Sequence, residues 1–293
     1  MRLNPLVSIL IICYNHEKFI QEAIKSALQQ EYENIELFVV DNDSQDKSSE
    51  KILELKKNYK FEFIQQKNIG APRTLNIFVP KAKGKYFSFF SGDDVMLSKK
   101  TKMQVNFMEA NPDYGMCFGN TITIDENSNI KSFNLNRKFR GGDLFNDIIK
   151  LKFHPPAPTY LFRKNALIDA GLYNEKLMLI EDLHMNIKMS RKYKIGYINE
   201  FLTYQRKHQG NLTTSIDFSR QIEESYRIFD DYRDLPNYKY LRKNLELHIF
   251  SFLADYDNKL TIDFMIKSLP FIFRKKYLKA FYKIIKRRIW KLN

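Results

Sequence analysis

Cysteine is nearly absent: the 293 residues hold two, Cys13 and Cys117. They lie far apart, and Cys13 falls inside an apolar run. That usage excludes a disulfide framework and implies buried thiols in a reducing compartment. No apolar stretch approaches the ~20 residues that span a bilayer. The first apolar run, Leu6 to Cys13, is short and passes straight into a polar motif, so it does not read as a signal peptide. There is no glycine-rich phosphate loop of the G-x-G-x-x-G or Walker type. That argues against a dinucleotide dehydrogenase and a P-loop ATPase. Acids are missing from one region. Residues 264–293 hold ten basic residues and no acid, in a chain whose net charge is +14. The basic partner-binding signal therefore belongs to the tail and not to the body.

What is present fits a folded α/β protein of one large domain or two tightly joined ones. Apolar residues make up 44% of the chain, ample for a core. Leu6–Cys13, Ile35–Val40, Tyr59–Gln65 and Tyr86–Phe90 read as strands. Helical periods run over Glu17–Gln30, to Leu55 after an Asp46 or Ser48 cap, and over Arg73–Val79. Strand alternating with helix at short spacing predicts a parallel sheet covered by helices on both faces. The carboxyl ends of its strands, where open α/β sheets bind ligands, carry Tyr14 and Asn15, Asp41 and Asn42, Asn68 and Gly70, and Asp93 and Asp94. Four such ends on one edge read as a nucleotide site, against the plainer reading of turn formers and caps.

Gly84 to Val95 is the sharpest stretch. A buried aromatic strand ends in Ser91-Gly92 and two adjacent acids, Asp93 and Asp94. Adjacent carboxylates suit a hard divalent cation that takes its other ligands from phosphate and water. The plainer reading makes Asp94 or Ser98 the cap of a helix over Lys99–Ala110. Further on, Tyr114–Phe118, Thr121–Ile124, Thr159–Phe162, Ile195–Ile198 and Phe201–Arg206 read as short strands. Phe133–Gly142 reads as a basic mobile loop, and Glu181-Asp182 open a helix to about Lys192.

Four segments, in order and spacing, carry a family resemblance: Val7-Ser-Ile with Tyr14-Asn15, Val39 to Asp46, Gly84 to Asp94, and Glu181-Asp182 followed by Tyr204 to His208. Over residues 7 to about 215 the chain resembles the family 2 glycosyltransferases, non-processive bacterial sugar transferases of the GT-A fold. The resemblance implies a Rossmann-like, mostly parallel sheet in a domain of residues 1–215, with a nucleotide-binding half (1–95) and an acceptor-binding half (96–215). It leaves 216–293 as a helical C-terminal region. It implies an inverting transfer from a nucleotide-sugar, with UDP the first choice, assisted by Mn²⁺ or Mg²⁺. Tyr14 would stack on the base and Asp41 would accept its imino proton. Asn15, Asn68 and Arg73 would contact the nucleotide. Asp93 would bind both nucleotide and metal, and His208 would join the metal. Asp182 would be the catalytic base, with Glu181, Asp94 and Arg206 in support. Arg206 is expected near the diphosphate on a loop that closes over substrate. The chain departs from the family at Ser91, where the first acid of D-x-D is usual, at Asp43 in place of glycine, and at Leu75 in place of arginine. For Glu181-Asp182 the plain alternative is a helix start, where acids complement the dipole. For Arg206 and His208 it is a basic surface strand.

In the tail, Leu278, Phe281, Tyr282, Ile285, Ile289 and Leu292 share a helical face, Trp290 sits near the end, and Lys276, Lys279, Lys283, Lys286, Arg287 and Lys291 fill much of the rest. Residues 269–293 thus read as an anionic-membrane helix, placing the protein in the cytoplasm on the inner face of the cell membrane. The acceptor would then be a lipid-linked saccharide in surface polysaccharide synthesis. A docked terminal helix is the alternative, and no motif points to nucleic acid. Two other functions compete: an inactive transferase-like adaptor at the membrane, and a sugar nucleotidyltransferase, which would want a glycine- and lysine-rich phosphate loop.

Overall fold

The computed structural model describes residues 4–135, 139–211, 217–256 and 259–290, with side chains described to residue 286 in the last segment. By packing density the chain divides into two units. One is Met1–Phe145 with His154–Ile216, and the other is Asn146–Phe153 with Asp217–Asn293.

The first unit is built on a nine-stranded sheet flanked by helices. Its strands are β1 (Val7–Cys13), β2 (Ile35–Asn42), β3 (Glu62–Gln66), β4 (Tyr86–Ser91), β5 (Val95–Met96), β6 (Tyr114–Ile124), β7 (Ile130–Asn134), β8 (Leu161–Arg163) and β9 (Lys194–Arg206). Between them run α1 (Ile20–Leu28), α2 (Ser48–Lys56), α3 (Ala71–Lys81), α4 (Lys100–Ala110), α5 (Phe145–Ile149, which past Phe145 belongs to the second unit), α6 (Lys164–Asp169) and α7 (Glu181–Lys192). The strand order is β3-β2-β1-β4-β8-β6-β9-β5, with β7 on β6. The β3-β2-β1-β4 half is parallel throughout. Beyond it β8 runs antiparallel to β4 and β6, while β9 is parallel to β6. β1 and β4 are mostly apolar, interrupted by the buried serines Ser8 and Ser88, because both their faces are covered: Val7, Ile9, Ile11, Tyr86 and Phe90 pack with Ile20, Ala23, Ile24, Val105 and Met108 from α1 and α4.

Register fixes the site. Cys13 lies beside Asp41, and Ile12 beside Ser91. The residues that follow, Tyr14–His16, Asn42–Ser44 and Gly92–Asp94, therefore leave the sheet at one edge.

Several expectations change. Tyr114–Phe118 and Thr121–Ile124 are one strand, β6, and Ile195–Ile198 and Phe201–Arg206 are likewise one strand, β9. Gly119 looked like a break. A β-carbon there would meet Leu202 at 2.5 Å, so this glycine serves close packing of β6 on β9. The supposed loop 133–142 starts inside β7 and ends with Gly142 bridged to Ile195, while its residues 136–138 lie outside the described residues. Neither Asp94 nor Ser98 caps α4, whose N-cap is Lys99 without a side-chain bond.

The second unit is helical: α8 (Phe218–Asp230), α9 (Tyr238–Leu253), α10 (Leu260–Lys267) and α11 (Lys275–Trp290). Tyr277 and Ala280 of α11 are buried, with Tyr277 against Phe250 of α9 at 5.1 Å. Lys276 turns inward to His248 and so leaves the basic face expected for it. Leu278, Phe281, Tyr282 and Ile285 point outward. The side chains of Arg287, Ile289 and Trp290, and residues Lys291 and Leu292, lie outside the described residues. Among the described residues no helix is long and apolar enough to cross a membrane.

Candidate active site

The end of β4 holds the densest group. His16, Asp93 and His208 present ligand atoms that all lie within 4.8 Å of one another. Asp93 Oδ2 accepts from His208 Nε2 at 3.0 Å and from Asn211 Nδ2 at 2.8 Å. Its Oδ1 and the Nδ1 of His16 are buried without a hydrogen-bond partner among the described residues. An orphaned carboxylate oxygen and an orphaned imidazole nitrogen, beside a second imidazole, are a donor set that suits a cation, since buried polar atoms otherwise find partners. Gly92 makes room for it. A β-carbon there would come within 3.0 Å of His16 Nδ1 and 2.9 Å of Ile20.

The two neighbouring acids divide their labour. Burial raises the Asp93 carboxyl, but the His208 hydrogen bond, the charge that His16 carries once acid protonates it, and Ser91 outweigh it and hold it at about 2. Burial and then the Asp93 charge push Asp94 well above the usual carboxylate range. The negative charge of the pair thus resides on Asp93. Burial lowers His16, keeping its imidazole neutral and able to donate a lone pair.

Arg206 is not on a loop. It ends β9, is 1% exposed, and has four of its five guanidinium N–H donors engaged. Its Nε donates to the Asp93 carbonyl at 2.9 Å. Nη1 donates to the Asp125 carbonyl and Ser128, and Nη2 to Glu22 at 2.6 Å. The guanidinium lies 4.8 Å from the Phe19 ring, and its backbone N–H donates to Asp94 Oδ1. No paired fork remains for a diphosphate; the residue braces the loop that carries Asp93 instead.

A second group surrounds Asp41. Its Oδ1 accepts from the Ser44 N–H at 3.1 Å and the Ser44 hydroxyl, and its Oδ2 accepts from Ser49. Asp41, Asp43, Ser44, Ser49, Gln65, Gln66 and Lys67 line a cleft of about 370 Å³. Tyr14 stands 42% exposed. Asn15 Oδ1 accepts from the Gln45 N–H, and its own N–H donates to Ser44. Asp43 has φ 68°, the left-handed region that explains the family's glycine. Asn68 Oδ1 accepts from the Gly70 N–H ahead of α3. Arg73 lies 3.8 Å from Glu175 with both side chains largely exposed, a weak pair. Asn76 is tied to the Tyr173 backbone in both directions.

A third group is centred on Asp182 at the start of α7. Oδ2 lies 2.8 Å from His154 Nε2, and Oδ1 accepts from the Leu183 N–H at 2.7 Å. Burial raises this carboxyl, yet the His154 charge and hydrogen bond bring it below the ordinary value. Tyr160 joins this group to β4, because its carbonyl accepts from Ser88. Asp93, His208 and Arg206 therefore come together. Asp41 and Asp182 sit in groups of their own, and the His16 imidazole feels both Asp93 and Asp41.

Sequence reasoning missed His16 and Asn211. A lone histidine after Tyr14-Asn15 carries no spacing signal, although it follows the first strand end directly.

The chain matches the model of Glycosyl transferase family 2 over residues 8–169. It belongs to that family. An uncharacterized glycosyltransferase of Methanocaldococcus jannaschii is 30% identical to this glycosyltransferase over 210 residues, covering 69% of this chain and 71% of the relative. One from Rickettsia prowazekii is 30% identical over 229 residues, 75% and 69% of the two chains. Among solved structures, S. aureus TarS 1–349 in complex with UDP-GlcNAc superposes with TM-score 0.71 at 19% identity, covering 96% of this chain and 88% of that one. A mannosyltransferase from Pyrobaculum calidifontis in complex with GDP-Man and Mn2+ gives 0.62 at 13%, covering 100% and 89%. These two likenesses concern the fold, which is of the GT-A type.

Proposed function

We propose that this glycosyltransferase moves a sugar from a UDP-sugar to a hydroxyl of a saccharide acceptor, with inversion and with a divalent cation. The observation that carries the reading is the His16–Asp93–His208 cluster with its orphaned atoms, on the same strand edge as the Asp41 cleft. UDP is chosen because Asp41 keeps a lone pair for an imino N–H after three hydrogen bonds. Tyr14 offers an open aromatic face for the ring. The TarS complex with UDP-GlcNAc supports the same choice. Asn15, Asn68 and Arg73 are assigned to the nucleotide side, Arg73 by exchanging Glu175 for phosphate.

The cation would be held by His16, Asp93 and His208. Two nitrogen donors suit Mn²⁺ better than oxygen-seeking Mg²⁺. When bound, it neutralises the charge that develops on the diphosphate. Asp182 takes the proton of the acceptor hydroxyl as that oxygen bonds to the anomeric carbon. The anomeric C–O bond breaks on the opposite face, and its electron pair leaves with the nucleoside diphosphate. Glu181, Asp94 and Arg206 hold this framework.

For the acceptor we infer a lipid-linked saccharide at the inner face of the membrane, in surface polysaccharide synthesis. In the helical unit Ile262, Ile266, Leu269, Phe273 (93% exposed), Leu278 and Tyr282 are exposed, as are Lys279, Lys286 and Lys283, the last paired with Asp255. Basic and apolar side chains exposed together suit an anionic lipid surface.

Asp182→Asn tests the chemistry. Turnover should fall on the order of 10²–10⁴-fold, as expected for loss of a general base, while UDP binding persists. Full turnover in this variant would overturn the assignment.

A further inference from the structure

The Asp182 carboxylate is pinned from two sides. Leu183 N–H holds Oδ1 and His154 Nε2 holds Oδ2. Side-chain exposure of 39% for His154 and 29% for Asp182 leaves both reachable. His154 is itself fixed from behind. Asn186 Nδ2 lies 3.4 Å from its Nδ1 and donates to the Tyr160 hydroxyl at 2.6 Å. That hydroxyl donates to the Pro155 carbonyl at 2.7 Å. Asn186 and Tyr160 are fully buried.

We propose that His154 is a positioning residue for Asp182, and that its protonation state sets how strongly the carboxylate accepts the acceptor's proton. This rests on Asp182 being the base.

The neutral imidazole has one donor and one acceptor nitrogen. Nδ1 faces an amide N–H, so Nε2 carries the hydrogen and donates to Asp182. In that state Asp182 keeps its charge and a fixed orientation, with lone pairs left for the acceptor hydroxyl. A second proton must enter at Nδ1. Asn186 can receive it by turning its amide, since Oδ1 is buried without a partner among the described residues. The resulting imidazolium pairs fully with Asp182 and weakens it as a base. Asp182 is the charged group that acts on the imidazole, with Asn186 at Nδ1, and Asp182 and Glu181 of α7 act in turn on the Tyr160 and Tyr173 phenols. Burial keeps both phenols un-ionised. Burial lowers His154, but Asp182 more than reverses this and raises it. Activity should therefore decline as pH falls through a value above 6.5.

The test is the pH dependence of kcat in wild type, H154Q and H154L, with saturating UDP-sugar. Glutamine places an N–H where Nε2 stands but does not titrate. H154Q should keep kcat within about 10-fold at pH 8, and its acidic limb should move at least one pH unit lower. H154L should lose on the order of 10- to 100-fold in kcat, as a loosened catalytic group does, with donor KM unchanged. Thermal melts check that both variants fold; if H154L does not, the H154Q profile alone decides. An H154Q profile identical to wild type overturns the proposal, as does a folded H154L with full kcat. Full activity in Asp182→Asn would instead overturn the base assignment, which keeps the two failures distinct.

Discussion

Arg206→Met is the substitution whose consequence can be worked furthest. The guanidinium donates to two backbone carbonyls, Asp93 and Asp125, and to Ser128 and Glu22, and it faces Phe19 at 4.8 Å. Methionine roughly fills the volume but donates nothing. Each carbonyl left dry costs about 1–3 kcal/mol, and the lost ring contact adds about 0.5–2 kcal/mol. Glu22 is half-exposed and rehydrates, so its share is small. Together these span about 2.5–8 kcal/mol, and the usual cost of breaking a buried pair, about 3–5 kcal/mol, lies within that span and is the value expected. For a unit of this size that is a fall in Tm of roughly 6–20 °C. Urea and thermal unfolding followed by circular dichroism measure it. Lysine should recover less than half, because an ammonium cannot reproduce the planar fork. A loss under about 1 kcal/mol, with a raised KM for the sugar donor, would refute the reasoning and return Arg206 to the diphosphate.

Two other outcomes are expected. Asp41→Asn should weaken UDP on the order of 10- to 100-fold, the worth of one charge-assisted hydrogen bond, and shrink the preference for UDP over CDP. Competitive titration of the two nucleotides reads both effects. Phe273→Glu combined with Leu278→Glu should reduce flotation with anionic vesicles, since it adds repelling charge at two outward positions. Equal flotation of variant and wild type would remove that face as the lipid contact.

The parallel half of the sheet was legible because β1, β2 and β4 are dominated by apolar and aromatic residues with few polar interruptions, and a run covered on both faces needs no periodicity to be found. Polar residues at the ends of those runs followed at once, which is why Asp41 and Asp93 could be named. What failed was local contrast without tertiary context. Gly119 in β6 and exposed Asn199-Glu200 in β9 looked like breaks, but they belong to long strands that hydrogen-bond to each other. Arg206 carried the chemistry of a phosphate ligand, and only the fold shows four of its five donors committed within the protein. His16 had no motif of its own. It becomes a ligand candidate because β1 ends level with β4 and because Gly92 lets its Nδ1 come close. The His154–Asp182 pair was equally out of reach, since a Pro-rich loop and a helix start meet only in three dimensions.

The measurement that bears most directly on a cation-dependent nucleotide site is calorimetric titration of UDP with wild type and His16→Ala, each with Mn²⁺ and with chelator. Wild type should bind UDP at least about 10-fold more tightly with Mn²⁺, a difference of about 1.4 kcal/mol, and His16→Ala should lose that difference while still melting as a folded protein. Equal affinity of wild type with and without the metal, or an undiminished metal effect in His16→Ala, would contradict it.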